Sequence, residues 1–165
     1  EPYLALHDPS TFGEGGGAAP WLEGAKWEPL ELIRQVPHVW AKFSGCGGGA
    51  AQLLMLDMGF YGVPCMFHQR AEDLGMVTDI PSTEVLTSFS GAGDGAEQQQ
   101  RARVGELEYL ELETTGVRFE GLPALYSVDG VCEVSQHACG VLGNIFGGRT
   151  VVFDYSRRRM AVLDD

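Results

Sequence analysis

The chain has 165 residues and a formal net charge of −12, from 11 basic and 23 acidic residues. This length fits one domain with its own core and is too short for two full α/β domains. The negative charge disfavours binding to a nucleic-acid backbone or to anionic lipid, because both need a basic face. Glycine accounts for 23 residues. That is about twice its usual share, which argues against a helical bundle and favours strands joined by turns.

The sequence carries no apolar run of about 18 residues, so we expect no membrane span. Its compartment is not determined by these residues. The many glycines and alanines are typical of a GC-rich genome, such as that of a green alga, and suggest an organelle, either chloroplast or mitochondrion.

Cysteine is too sparse for a disulfide-dense secreted scaffold, so we expect reduced thiols. Cys65 with His68 and His137 with Cys139 could supply the ligands of a zinc site. Neither pair has the usual C-x-x-C spacing, and cysteine also packs well in cores. We therefore expect no metal and no cofactor.

Residues 1–36 differ from the remainder because glycines and prolines interrupt them without a sustained period. Their apolar residues, which include Trp21 and Trp27, are enough to attach parts of this segment to a surface. We interpret it as an N-terminal extension or arm, packed either on its own domain or on a partner. The domain proper is expected to span residues 37–165.

The first half of the domain is strand-like. His38–Phe43 and Ala51–Leu56 are expected to form strands joined by the glycine-rich turn 44–50. A short helix over His68–Leu74 should end at Gly75, a favourable residue after a helix C-terminus.

The second half continues in the same way. Polar, glycine-rich residues 90–100 are expected to form a loop after a strand over 84–89. The alternation of apolar residues along 103–113 shifts by one position, which predicts a bulge or break near Tyr109–Leu110. Five further short apolar segments follow: 117–120, 122–128, 140–146, 150–155 and 159–163. About eight strands with little helix predict an all-β barrel or sandwich.

Residues 91–96 formally match a G-x-G-x-x-A nucleotide fingerprint. Such a fingerprint needs a helix whose N-terminus receives the pyrophosphate, and the polar run after Ala96 has no apolar helical face. We therefore interpret these residues as part of a loop.

Asp57 ends the apolar strand 53–56 and is followed by Met58 and Gly59. Far downstream, Val141-Leu142-Gly143 precedes Val151-Val152-Phe153-Asp154-Tyr155, a basic turn and a last strand. This order resembles the retropepsin-like aspartic proteases, the one-lobed relatives of pepsin. Their pattern is an apolar strand ending in Asp-Thr/Ser-Gly, then an apolar pair with glycine, then Val-Val-x-Asp-Tyr. The resemblance covers about residues 39–163.

The resemblance implies a fold and a set of site residues. The fold would be a closed all-β barrel of the acid-protease type with a short helix, and residues 90–101 would lie at the flap. Asp57 would be the catalytic carboxylate within an Asp57-Met58-Gly59 loop. The residues implied to contact a substrate or peptide are Phe60, Tyr61, Val141, Leu142 and Gly143.

Met58 departs from the family pattern. In the family, the hydroxyl of Thr or Ser at this position hydrogen-bonds across a twofold axis and holds two catalytic loops together. A thioether donates no hydrogen bond. Phe60 and Tyr61 are also bulky where the family often has a small residue, and we expect them to crowd a substrate cleft.

Two functions therefore remain. The first is a catalytically degenerate aspartic-protease fold that acts as a protein-binding or scaffold subunit, with other protein subunits or a peptide as partners. The alternative is an active endopeptidase, a homodimer with one Asp57 from each chain. Asp154 is expected to be structural, accepting hydrogen bonds from the backbone or from the turn at 157–159.

Overall fold

The computed structural model describes residues 5–6, 22–46, 49–60, 63–75, 83–90, 97–128, 136–143 and 145–163. Within these residues the chain forms eleven strands and one short helix, rather than about eight strands. The strands are β1 (Glu28–Pro29), β2 (Glu31–Ile33), β3 (Val36–Phe43), β4 (Gln52–Leu56), β5 (Cys65–Met66), β6 (Glu84–Ser90), β7 (Glu97–Leu112), β8 (Arg118–Ser127), β9 (Gly140–Leu142), β10 (Thr150–Asp154) and β11 (Arg159–Leu163); the helix α1 is His68–Asp73.

Six strands close into a barrel. They follow the order β3–β4–β9–β5–β8–β7, and β7 pairs back onto β3 through Ala41 opposite Leu112 and Phe43 opposite Leu110. Strands β2 and β6 extend the sheet beyond β3 and β7, and β1, β11 and β10 form a separate three-stranded sheet. The expected all-β closed barrel with a short helix is confirmed. The described chain contains no helix long and apolar enough to cross a membrane.

The barrel closes around side chains that alternate along its strands. On β3, Val39, Ala41 and Phe43 are buried, whereas Trp40 between them is exposed. This period of two is the geometry of a strand with one face in a core. Most of the largest fully buried apolar side chains come from five of the barrel strands and from β11: Phe43, Leu54, Met66, Leu107, Leu110, Leu112, Leu142 and Met160. Phe67, directly before α1, is also fully buried.

The irregularity expected near Tyr109–Leu110 is a break in the pairing of β7 with β8, and not a bulge with an inserted residue. Leu107 opposite Leu122 and Tyr109 opposite Glu120 keep one register, so neither strand carries an extra residue. The pair between them is missing, and Gly121 there has a φ of 59°. The first part of β7 pairs with β6 and its last part pairs with β3. This change of neighbour explains why buried residues occur on both faces of β7.

Two further expectations about strand limits are corrected. Strand β8 is one strand rather than two, because Gly121 accommodates the local irregularity without ending the pairing. Strand β7 begins at Glu97, inside the segment expected to be a loop, because residues 97–100 pair with β6. The helix ends as expected before Gly75, which has a φ of 69°.

The described part of the N-terminal extension, apart from residues 5–6, packs on the barrel. Strand β1 pairs with β11, and the Leu30 N–H donates to the carbonyl of Arg158 at 2.8 Å. The Leu30 side chain is buried in the main core, and β2 pairs with β3. Residues 28–33 are thus part of the same folded unit as the barrel.

Glu28 fastens this segment to the turn between β7 and β8. Its carboxylate is fully buried and accepts hydrogen bonds from the N–H of Thr114 at 3.1 Å, the N–H of Thr115 at 2.9 Å and the Thr115 hydroxyl at 3.0 Å. A buried carboxylate is tolerated when it is hydrogen-bonded in this way. Glu28 therefore fixes the distance between β1 and this turn.

We expect Glu28→Gln to lower the free energy of unfolding by about 1–3 kcal/mol, because an amide replaces an anion that accepts several hydrogen bonds and leaves donors unsatisfied. Urea denaturation followed by circular dichroism measures this loss. Glu113→Gln, an exposed control on the same turn, should stay within about 0.5 kcal/mol of wild type. Equal losses in the two variants would contradict the role of Glu28.

Candidate functional site

Asp57 is placed by the parallel contact between β4 and β9. Met55 lies opposite Val141 and Leu56 opposite Leu142 in the ladder. The next residue, Asp57, continues this pattern, because its N–H donates to the carbonyl of Leu142 at 3.0 Å. The structure therefore brings together Asp57 and the Leu142–Gly143 segment, two parts of the sequence pattern that are far apart in the chain.

Gly140 makes this contact possible. Strand β9 lies between β4 and β5, and a Cβ atom on Gly140 would be 2.6 Å from the carbonyl oxygen of Cys65 and 2.8 Å from the sulfur of Met66. The first distance is far below van der Waals contact and involves backbone, which cannot easily move. Only glycine fits between these strands at this point.

The loop after β4 holds one oxygen of the Asp57 carboxylate. Oδ1 accepts a hydrogen bond from the N–H of Gly59 at 2.9 Å, and the Asp57 carbonyl accepts one from the N–H of Phe60 at 3.0 Å. A short polar side chain bonded to its own backbone two residues on is a common turn device. Asp57 is nevertheless exposed to solvent. The carboxylate is thus oriented and accessible at the surface of the single chain.

Met58 and Phe60 differ in their surroundings. The Met58 side chain is 43% exposed beside Asp57. Phe60 is half-buried and packs against a small cluster of Phe67, Ala138 and Val141. Its ring is therefore engaged with its own chain. Tyr61, the other aromatic expected to crowd a cleft, lies outside the described residues.

The segment Val141-Leu142-Gly143 is buried in the single chain. Leu142 belongs to the main core, whereas Val141 belongs to the small cluster under Phe60. What this segment contributes to the Asp57 loop is a main-chain acceptor, the carbonyl of Leu142.

Strands β6 and β7 form a hairpin in the region where the resemblance places a flap. They pair from Glu84 opposite Arg103 to Ser90 opposite Glu97. Residues 91–96, which hold the formal nucleotide fingerprint, lie outside the described residues.

Asp154 is buried and surrounded by donors. Its carboxylate accepts hydrogen bonds from the Ser156 hydroxyl at 2.6 Å, the N–H of Arg157 at 3.1 Å, and the guanidinium groups of Arg157 and Arg159, each at 3.1 Å. Burial alone would raise the pKa of Asp154, but these hydrogen bonds outweigh it and lower the pKa to about 2. Asp154 thus closes the turn between β10 and β11, in agreement with a structural role.

The described cysteines are buried free thiols. Burial, together with the nearby Cys46, raises the pKa of Cys139 to about 12, so this thiol stays protonated at neutral pH. The described residues contain no cluster of three or more His, Cys, Asp or Glu side chains arranged to hold a metal ion.

The chain forms a closed barrel in which an apolar strand ends at an aspartate loop, beside a buried Leu-Gly segment. This arrangement is the retropepsin-like fold. Among solved structures, the chain is similar to a retropepsin-like aspartic protease from Rickettsia conorii, with a TM-score of 0.51 and 14% sequence identity. The match covers 84% of this chain and 89% of that one. No protein-family model and no curated protein matches the chain. At this identity, the likeness establishes the fold.

We expect Gly140→Ala to lower the free energy of unfolding by about 3 kcal/mol, because the added methyl group would overlap the backbone of Cys65. Thermal unfolding followed by fluorescence measures this loss. Gly59→Ala is the matched control: its Cβ would be 3.3 Å from Oδ1 of Asp57, and small shifts of that side chain can relieve the contact. Similar losses for both variants would contradict the packing role of Gly140.

The lowered pKa of Asp154 predicts an acid-sensitive contribution to stability. The carboxylate binds its proton more weakly in the folded chain than at the ordinary value of 3.8. Its stabilisation is therefore complete above about pH 4 and is lost as the pH falls towards 2, a total of about 2 kcal/mol.

Denaturant titrations at pH 6, 4, 3 and 2 test this dependence. Asp154→Asn should be less stable at pH 6 and lose less further stability on acidification. Asp73→Asn removes a half-exposed carboxylate on α1 and should keep the wild-type dependence. A wild-type acid dependence in Asp154→Asn would show that other carboxylates cause it.

Proposed function

We propose that this chain is a retropepsin-like domain that has lost peptidase activity and serves as a peptide- or protein-binding subunit of a larger assembly. In this proposal residues 37–165 form the binding domain and residues 1–36 its extension. The observation that supports this proposal most is Met58. It lies next to the oriented Asp57 carboxylate, at the position where the family has the hydroxyl of Thr or Ser.

The chemical argument concerns the precision of a two-carboxylate site. In pepsin-like chemistry, two carboxylates share one proton; one activates water as general base, and the other protonates the carbonyl oxygen of the substrate. Their positions must be held to a fraction of an ångström by supporting hydrogen bonds. In this chain the Asp57 loop has the local support of Gly59, but the Met58 thioether cannot donate a bond to a second loop.

The hairpin of β6 and β7 supports a binding role. Strand β6 ends the eight-stranded sheet and pairs with β7 alone among the described strands. Leu86 on this strand is 72% exposed. An edge strand with an exposed apolar side chain is a template for an extended peptide, which would add a strand through backbone hydrogen bonds.

The alternative is an active homodimer, and the exposure of Asp57 favours it. A single chain supplies one such loop, so catalysis needs a second copy whose Asp57 approaches the first. Asp57 and Met58 are both exposed on this loop, so the same loop of a second chain could contact it.

A cleavage assay separates the two functions. Wild type, Asp57→Asn and Met58→Thr are incubated with a peptide library at pH 4–6, at concentrations where light scattering reports the mass of each species. We expect wild type to show no cleavage above Asp57→Asn, because the support for a second carboxylate is missing.

Asp57→Asn is the matched control, because it keeps the shape of the loop while removing the base. Cleavage by wild type that disappears in Asp57→Asn would overturn the degenerate assignment and establish the dimeric endopeptidase. Cleavage gained in Met58→Thr alone would identify residue 58 as the position at which activity was lost.

A further inference from the structure

Strand β6 ends the eight-stranded sheet, and its residues Glu84–Ser88 form an edge with exposed side chains at every second position. Among the described strands it pairs with β7 alone, one residue to one, so no bulge turns the edge away. Leu86 in the middle of this edge is 72% exposed. Natural edge strands are usually protected by charges, above all Lys, by Pro or by bulges. Apart from the charge of Glu84, positions 84–88 carry none of these, so the edge has little protection against pairing with another chain.

The hydrogen bonds of β7 fix which backbone groups of β6 point outward. The carbonyl of Arg101 accepts a hydrogen bond from the N–H of Val128 at 3.0 Å, so the backbone of Arg101 is directed towards the end of β8. Arg101 lies opposite Leu86 in the hairpin. Residue pairs in an antiparallel ladder alternate between hydrogen-bonded and non-hydrogen-bonded. The N–H and C=O of Leu86 therefore point away from β7, and by the same alternation so do those of Glu84 and Ser88.

The residues between these three use their backbone groups inside the hairpin. The carbonyl of Thr83 accepts a hydrogen bond from the N–H of Val104 at 3.4 Å, which marks a hydrogen-bonded pair. Two and four positions further along β6, Val85 and Thr87 belong to the same set. A second chain at the edge would thus bond to the outward residues without competing with the pairing of β6 and β7.

The outward residues match a second copy of themselves. When two β6 strands run antiparallel with Leu86 opposite Leu86, Glu84 lies opposite Ser88 of the other copy. All three residues of each chain then meet partners whose N–H and C=O groups also point outward. The two leucine side chains cover each other across the strands. The arrangement has twofold symmetry, because each chain contributes the same surface.

Charge favours the antiparallel direction. The two Glu84 residues are then four positions apart along the paired strands, about 13 Å, which exceeds the screening length of about 8 Å at physiological salt. A parallel arrangement in the same register would place the two carboxylates side by side, which is unfavourable. Within its own hairpin, Glu84 lies 3.8 Å from Arg101 and 3.9 Å from Arg103, so its charge is partly compensated.

The opposite end of the sheet limits the assembly to two chains. That end is β2, which has three residues. Pairing of β6 with β2 of another chain would repeat from copy to copy and build a filament, but β2 is shorter than the Glu84–Ser88 edge. Pairing of β6 with β6 uses one edge of each chain and closes. The geometry therefore favours a dimer.

We propose that the β6 edge pairs with the same edge of a second copy of this chain, in an antiparallel register centred on Leu86. The second copy is thus the partner in the binding role proposed above for this edge, and its assignment rests on that role. The Asp57 loop takes no part in the pairing. This dimer therefore differs from the one that peptidase activity would need.

Sedimentation velocity of the full chain over a wide range of concentrations tests the pairing. We expect a monomer–dimer equilibrium without larger species. Each chain carries a net charge of −12, so the copies repel each other, and raising the salt concentration from about 0.05 M to about 0.5 M should strengthen the dimer about threefold or more. A dimer that weakens with salt would contradict an interface made of backbone bonds and leucine.

Two matched lysine variants locate the interface. Leu86→Lys places two like charges opposite each other and should weaken the dimer at least tenfold, on the order expected for a charged edge. Met58→Lys makes the same change at another exposed side chain, on the Asp57 loop, and should stay within about twofold of wild type. Circular dichroism verifies that both variants keep the fold. A dimer lost in Met58→Lys and kept in Leu86→Lys would overturn the proposal and assign the contact to the Asp57 loop.

Hydrogen exchange reads the same contact residue by residue. The amides of Leu86 and Ser88 should be protected only at concentrations where the dimer forms, whereas those of Val85 and Thr87 should be protected in monomer and dimer alike. Ser88→Pro removes an outward N–H that β7 does not use, so it should dissociate the dimer and keep the hairpin. Protection of Leu86 that does not change with concentration would contradict the pairing.

Further outcomes separate this pairing from the proposed function. A chain that stays monomeric at all concentrations overturns the pairing. If an added extended peptide then protects the amides of Leu86 and Ser88, the edge binds peptides rather than a second copy, and the binding role stands without this partner. Peptidase activity that disappears in Asp57→Asn would overturn the degenerate assignment, whereas the lysine variants would still decide whether β6 forms the dimer.

Discussion

The parallel contact between β4 and β9 is the constraint on which the candidate site depends. Two segments that are remote in sequence must run side by side, while β5 approaches β9 from the other side. The space left at Gly140 excludes any side chain. Because the contact continues one residue past β4, through the bond from Asp57 to Leu142, the position of the carboxylate follows directly from the packing of the barrel. A carboxylate placed in this way keeps its position whether or not it takes part in catalysis.

Two other carboxylates hold the three-stranded sheet together and to the barrel. Glu28 connects β1 to the turn between β7 and β8, and Asp154 closes the turn between β10 and β11. Each is buried and accepts hydrogen bonds from both backbone and side-chain donors. Removing either carboxylate would leave buried donors without an acceptor. Together they connect the N-terminal segment, the turn between β7 and β8, and the last two strands.

Much of the fold could be predicted from the sequence. The alternating residues of β3, the apolar run of β4 and the glycine after the helix each identify their element locally. The strand pattern left a barrel or a sandwich open, and the resemblance to the retropepsin-like family implied the closed barrel. Three strands of two or three residues, β1, β2 and β5, were missed because so short a segment has no period to detect. Gly121 was taken as the break between two strands, although pairing with β7 carries one strand through it. For very short strands, and for strands that contain a glycine, pairing with distant parts of the chain determines where the strand begins and ends.

The site was predictable only in part. The family resemblance implied that Asp57 lies beside Leu142. The arginine-rich turn after Asp154 predicted the hydrogen-bond donors to that carboxylate. The role of Glu28 was not foreseen, because its partners lie 86 and 87 residues away in the chain and nothing local distinguishes it from an exposed acid. The burial of Phe60 against Phe67 likewise depends on a contact that no sequence pattern specifies.

The pairing of β11 on both sides has a consequence for how two such chains could meet. Its neighbours β1 and β10 both belong to the same chain: β10 pairs along the whole of β11, and β1 pairs with its first two residues, Arg159 and Met160. A second copy therefore cannot insert a strand beside these two residues without first displacing β1 or β10. Displacing β1 would also pull the Glu28 carboxylate away from its three donors, the N–H groups of Thr114 and Thr115 and the Thr115 hydroxyl. Strand exchange between two chains at the start of β11 would thus have to break contacts within each chain before it formed contacts between them.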